Sequence, residues 1–232
     1  MTRAMLERMQ GNSSPVRSRQ ITGHARLDDI VRRHLEMTWQ APIHAPTARA
    51  LEPLLYALAD EPRPLLLDSG CGDGSSTQLL AYRHPDRVVV GLDKSAARLQ
   101  RLAPGGLLHR GNLWLIRAEL ADAWRLLADA GVNVSQHYLL YPNPWPKPTH
   151  VQRRWHAHPV FPWLLGLGGD LELRSNWSVY VREFDRALRL AGLDAAIDLV
   201  EGDEAPLTPF ERKYRDSGHT LWRLRSALHA RR

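Results

Sequence analysis

Apolar and polar positions change period several times along this chain, and the changes divide it into elements. Over 27–35 apolar residues recur at helical spacing, with Asp28 and Asp29 early and Arg32 and Arg33 late, as suits a helix dipole. A second helix is expected over 47–58. Short unbroken apolar runs follow, Leu65-Leu66-Leu67 and Val88-Val89-Val90, leading to Asp68 and Asp93. Runs of that length read as strands buried on both faces. Helical stretches come after each, over 75–82 and 95–102. Further strands are expected over 113–117, 137–141, 170–174, 195–200 and 220–224, with helices over 121–130 and 180–190. This alternation predicts a doubly wound α/β fold, a seven-stranded, mostly parallel sheet with helices on both faces. Residues 1–20 show no sustained apolar period and read as a flexible basic tail, 21–60 as a helical extension, and 61–232 as one catalytic-size domain.

Composition adds a direction. The 232 residues are 44% hydrophobic, enough for a sizeable core, and the net charge is +6. The basic excess sits at the ends: eight Arg against four acids in 1–50, and seven Lys and Arg against two acids in 208–232. A phosphate-bearing partner such as structured RNA fits that distribution. A lone cysteine, Cys71, excludes an internal disulfide framework and suits a reducing cytosol. No apolar run approaches the roughly 18–20 residues of a membrane span, and the first twenty residues lack a signal-peptide core. A soluble, cytoplasmic protein is expected. His150, His156 and His158 cluster in sequence, but no cysteine stands at zinc-like spacing, so no metal is expected.

The first strand runs directly into Asp68-Ser69-Gly70-Cys71-Gly72-Asp73-Gly74. Glycine is needed where the backbone must turn sharply and a ligand approaches closely. A dinucleotide site would place its third glycine at the position of Ser75. Here Gly74 comes one residue earlier, and an acid precedes the loop, which fits S-adenosylmethionine better: that ligand carries a sulfonium cation and no phosphate. Asp93, ending the second strand, stands where an acid accepts both hydroxyls of a ribose, or else caps the next helix. Glu119, just after the third predicted strand, can accept from an adenine amino group.

After the fourth predicted strand comes Tyr141-Pro142-Asn143-Pro144-Trp145-Pro146-Lys147-Pro148. Four fixed φ angles in seven residues make a stiff segment with few backbone donors. At the carboxyl end of a central strand it would wall the ligand crevice. Together with His150, Arg153 and Arg154 this segment resembles the P-D-P-W-P-K motif and basic stretch of the tRNA (guanine-N(7))-methyltransferases of the bacterial single-subunit type. The resemblance continues through Gly169 to Trp177, with Tyr180 nearby, and at Thr208-Pro209-Phe210-Glu211, spanning about residues 60–225.

The resemblance implies a Rossmann-like class I methyltransferase fold and transfer of a methyl group from S-adenosylmethionine to guanosine in tRNA. It implies that Asp68, Gly70, Gly72, Gly74, Asp93, Glu119 and Asn143 hold the cofactor. Asn143 would also be the catalytic position, with Lys147, Asn176, Thr208 and Glu211 around the guanosine and Arg153 and Arg154 on tRNA phosphates. Asn143 and Asn176 each replace an aspartate of the family. Asparagine can still orient a base but cannot supply negative charge, so slower turnover or another acceptor is a distinct reading. Asn143-Pro144-Trp145 also resembles the N-P-P-Y/F/W motif of exocyclic-amine methyltransferases, although Pro146 holds its aromatic position. A small-molecule methyltransferase, a nicotinamide-linked oxidoreductase and a non-catalytic RNA-binding relative are the remaining alternatives. Most of the eight tryptophans are expected in the core, with Trp145 and Trp155 kept for base stacking.

Overall fold

The computed structural model describes residues 12–60 and 63–228. Its elements, in chain order, are α1 (Leu27–Glu36), α2 (Ala45–Asp60), β1 (Leu65–Ser69), α3 (Ser75–Arg83), β2 (Val88–Asp93), α4 (Ala96–Leu99), β3 (Leu107–Arg110) and β4 (Leu113–Arg117). They continue with α5 (Leu120–Asp129), β5 (Val134–Leu140), α6 (Phe161–Gly166), β6 (Asp170–Ser175), α7 (Ser178–Leu190), β7 (Ala196–Leu199), α8 (Pro209–Asp216) and β8 (Trp222–Ala227). Two short 3-10 turns, Pro148–Arg153 and Trp155–Ala157, lie between β5 and α6.

Eight strands form one sheet in the order β3-β4-β2-β1-β5-β6-β8-β7. The five central strands are parallel, while β3 and β8 run antiparallel to their neighbours. The expected α/β fold is present, with one strand more than the seven read from the sequence. The addition is β3, which folds back on β4 at the sheet edge. Its residues are exposed or half-buried, so no buried apolar run marks it. By contrast β1 and β2 are buried at every position, which is why their apolar runs were legible.

Helices cover both faces. The larger core joins Leu27 and Ile30 of α1, Leu51 of α2, Trp124 of α5 and Phe184 of α7 to one face of the sheet. A smaller core sets Leu80 of α3 and Leu99 of α4 against Leu66, Val89 and Leu115 on the other. Gly91 in β2 permits this second layer to approach, since a Cβ there would lie 2.3 Å from Thr77 Oγ1. On the same face beyond β5 the sheet carries charge: Arg174 reaches Glu172 at 2.6 Å and Glu211 of α8 at 2.9 Å, and Arg223 reaches Asp198 at 2.9 Å. No described helix is long and apolar enough to cross a membrane.

Of the expected flexible tail, residues 1–11 lie outside the described residues. Residues 12–20 run across the domain and are tied to it: Ser13 N donates to Ser217 Oγ, Ser18 Oγ to Pro146 O, and Gln20 Nε2 to Glu183 Oε1. Their arginines hid this, because the attachment uses Ser and Gln side chains that carry no periodic signal.

Candidate active site

The chain crosses from one side of β1 to the other between β2 and β5, which leaves a crevice at the carboxyl ends of these strands. A cleft of about 560 Å³ opens there, within the range of small-molecule sites. One wall carries Gly70, Asp93 and Glu119. The facing wall carries Tyr141, Asn143, Trp145, Arg153 and Trp155. The glycine turn and the proline-tryptophan segment, 70 residues apart in sequence, therefore share one cavity.

Gly70, at φ +79°, begins the turn, where its N–H and that of Cys71 donate to Leu92 O and tie the loop to β2. Asp93 is nearly buried: Oδ2 accepts from Gly72 N at 3.0 Å and Oδ1 from Ser95 N at 2.8 Å, with Arg98 Nη1 3.6 Å away. A carboxylate has lone pairs left for further donors after these. Ser95, rather than Asp93, caps α4, accepting from Arg98 N. Glu119 sits at the start of α5, largely exposed, with Lys94 3.8 Å away. This donor set fits S-adenosylmethionine: an anionic acceptor for a ribose at Asp93, a second acid at Glu119, and side-chain-free backbone at Gly70.

On the facing wall Tyr141 and Trp145 hold positive φ angles, +52° and +46°. Asn143 Oδ1 accepts from Trp145 N at 3.2 Å, closing a tight turn that fixes the amide. Arg153 stacks over the Trp145 ring at 4.7 Å. Behind the floor, Ser69 Oγ accepts from Trp124 Nε1 at 2.9 Å and meets His137 Nε2 at 2.8 Å.

The cleft brings together only some of the residues expected from the sequence. Asp68 does not line the cleft: it is buried, and Oδ2 accepts from the hydroxyls of Ser76 and Thr77, holding the start of α3. Burial pushes its carboxyl up to about 6, against the pull of those two hydroxyls. Gly72 and Gly74 shape the turn without lining the cleft; a Cβ on Gly74 would meet Leu115 Cδ1 at 2.8 Å. Arg154 is wholly buried against Glu183 and Trp145 O, away from the surface. Thr208 and Glu211 do not border the cleft either. They form the cap of α8, with Glu211 N donating to Thr208 Oγ1, and Glu211 is buried on Arg174. Asn176 pairs with His219 at 3.1 Å, and Lys147 is exposed outside the cleft lining. Of the substrate residues expected, only Arg153 joins Asn143 in the cavity.

Sequence reasoning missed Tyr141, Arg98 and His158, which line the cleft. Tyr141 had a usable signal, as the residue entering the proline segment from β5. Burial, reinforced by the Glu211 carboxylate beside it, pushes its hydroxyl well above the ordinary tyrosine range. Cys71 is buried, and burial with the nearby Asp68 and Asp93 charges raises its thiol, so it is a poor nucleophile. Among the described residues no group of three or more His, Cys, Asp or Glu could hold a metal ion.

Comparison with known proteins agrees with this architecture. The family described as "Putative methyltransferase" matches residues 62–224. The tRNA (guanine-N(7)-)-methyltransferase of Alkalilimnicola ehrlichii is 32% identical over 90% of this chain and 91% of its own length. The enzyme of the same name from Leifsonia xyli is 30% identical over 73% and 78%. Among solved structures, an antibiotic related methyltransferase superposes with a TM-score of 0.55 at 15% identity, covering 82% of this chain and 97% of that one. A 16S rRNA (adenine(1408)-N(1))-methyltransferase variant from Catenulisporales acidiphilia, solved with its cosubstrate SAM, gives 0.52 at 20% identity over 84% and 96%. These structural likenesses concern the fold; the extent of the sequence matches concerns descent. With the motif order, the sheet and the shared cleft, they make this chain a methyltransferase belonging to the tRNA (guanine-N(7))-methyltransferase family.

Proposed function

We propose that this protein transfers a methyl group from S-adenosylmethionine to nitrogen 7 of a guanosine in tRNA. The observation that carries the reading is the single cleft into which Asp93 and Glu119 face from one side and Asn143, Trp145 and Arg153 from the other. When bound, the cofactor supplies a methyl group on a sulfonium, an electrophile that needs no activation by a protein acid. The guanine nitrogen attacks with its own lone pair, so no base has to remove a proton. The protein's task is then to hold two partners at near-attack separation, roughly 3–3.5 Å, and to keep water out.

Asp93 would anchor the ribose and Glu119 the adenine amino group. On the acceptor side, Asn143 Oδ1 already accepts from Trp145 N, which leaves the amide's N–H donors for the ligand. Donors recognise acceptors, and guanine presents a carbonyl oxygen beside nitrogen 7, so an N–H on that oxygen orients the base and leaves the nitrogen lone pair free to attack. An exocyclic amine needs the opposite arrangement, a carbonyl oxygen to accept its hydrogens, and the turn takes up one of that oxygen's two lone pairs. Arg153, stacked on Trp145 at the cleft wall, suits a phosphate next to the target nucleotide.

The test is incubation of the full chain with labelled S-adenosylmethionine and bulk tRNA lacking 7-methylguanosine, followed by nucleoside analysis. Label in 7-methylguanosine is the expected result. Label in another nucleoside, or none, overturns the proposal.

A further inference from the structure

Glu183 of α7 has no part in the roles above, yet it is among the most buried charges in the protein, 1% exposed. Four donors converge on it. Gln20 Nε2 and His24 N reach Oε1 at 2.6 and 2.7 Å, and Arg154 Nη1 and His156 Nε2 reach Oε2 at 2.5 and 3.1 Å. Arg154, also wholly buried, uses its remaining donors elsewhere. Nε and Nη2 both donate to Trp145 O, at 3.2 and 3.0 Å, and Nη2 also to Gln20 Oε1 at 2.9 Å. Its guanidinium lies over the Trp177 ring at 4.9 Å. One residue on from Trp145, the Pro146 carbonyl accepts from Ser18 Oγ at 2.6 Å.

These contacts grip a segment with few means of holding itself. Pro142, Pro144, Pro146 and Pro148 bring no N–H, so the segment can make few backbone bonds of its own. Trp145 sits at φ +46°, a region that costs a residue with a Cβ roughly 1–2 kcal/mol. A strained residue of this kind persists where its surroundings over-determine it. Here the surroundings are a bidentate guanidinium on one carbonyl and a hydroxyl on the next.

We infer that Glu183 and Arg154 are positioning residues for methyl transfer, and that the Glu183–Arg154–Trp145 chain, completed by Ser18 and Gln20, sets the cleft wall bearing Asn143, Trp145 and Arg153. The part played in transfer rests on the acceptor reading given above; the grip on the loop does not. A core ion pair with no such role would affect activity only as far as it affects folding.

Three variants of the full chain separate these. Arg154→Lys keeps a cation beside Glu183, but a point ammonium cannot clasp the Trp145 carbonyl with two parallel N–H groups. Gln20→Ala and Ser18→Ala leave the ion pair whole and remove the outer holds, so they carry the test if Arg154→Lys folds poorly. Hydrogen exchange over residues 141–150 should be at least about tenfold faster in Arg154→Lys and measurably faster in the other two. For Arg154→Lys, kcat on tRNA should fall about tenfold, while affinity for S-adenosylhomocysteine by calorimetry stays within about twofold. Loop exchange unchanged in all three variants overturns the inference, as does a kcat loss that merely tracks cofactor affinity or folded fraction. If the wild-type chain methylates no tRNA, the acceptor reading fails on its own, and the exchange measurement still decides whether this network holds the wall.

Discussion

At the scale of single residues, charge and its absence dominate the cleft. The two acids on one wall each face a cation, Asp93 with Arg98 and Glu119 with Lys94, whereas the facing wall offers Asn143 and no carboxylate. A methylated guanine nitrogen is cationic, so a carboxylate at position 143 would stabilise charge as it develops. Asn143→Asp should therefore raise kcat with tRNA by about ten- to a hundredfold, as electrostatic contributions of a few kcal/mol imply. An unchanged kcat in the same nucleoside assay would place residue 143 away from the reacting atoms, and a lower one would show that the amide's N–H donors outweigh charge there. A second residue-scale prediction concerns His137, fully buried behind Ser69. Burial depresses its imidazolium to about 3, from 6.5 in an unfolded chain. The folded state thus takes up its proton later than the unfolded state does. Stability from this group is complete above pH 6.5 and declines as pH falls toward 3, by about 1.4 kcal/mol per unit. His156 and His158 are shifted in the same direction. His137→Gln should flatten the acid limb, sparing about 2 kcal/mol of the loss between pH 7 and 5, as read from urea unfolding at the two pH values.

At the scale of elements, joins between strands and helices are what position the site, and glycines set several of them. Gly169, entering β6, has φ +76°, and a Cβ there would meet the backbone oxygen of Val134 at 2.2 Å. Gly192, after α7, has a similar φ of +78° with open space around it. Gly192→Ala should cost about 1 kcal/mol through backbone strain alone. Gly169→Ala adds a clash that no side-chain rotation relieves, and should cost about 3 kcal/mol or more. Equal losses in chemical denaturation would mean that the β5–β6 contact can relax. The capping of α8 belongs to the same scale: Thr208 caps its start and Glu211 anchors Arg174.

Across the whole molecule, neighbouring arginines have opposite fates. Arg153 lines the cleft and stacks on Trp145, while Arg154 is wholly buried. Arg153→Ala should weaken tRNA binding and lower the slope of log affinity against log salt by about one. Arg154→Ala should leave that slope unchanged. It should instead destabilise the fold by about 3–5 kcal/mol, because Glu183 would remain buried without its main cation. A reduced salt slope in Arg154→Ala would show that its guanidinium reaches RNA. Ser18, Gln20 and His24 also tie the stretch ahead of α1 to the proline segment and to α7.

The sequence by itself determined the sheet and the general chemistry. Buried parallel strands must be apolar throughout, so β1 and β2 announced themselves, and the glycine turn after β1 and the acid ending β2 followed from their places at strand ends. Motif order pointed to the family for the same local reasons. Only the tertiary structure decided which polar groups face the cleft. Arg153 and Arg154 are adjacent and chemically alike, and a 3-10 turn ending between them sends one outward and the other into the core. Asp68 and Asp93 both close the apolar runs of buried strands, yet one serves α3 and the other the cavity. A side chain's direction, and the distant donors that will satisfy it, are properties of packing among elements far apart in the chain, and no local pattern encodes them.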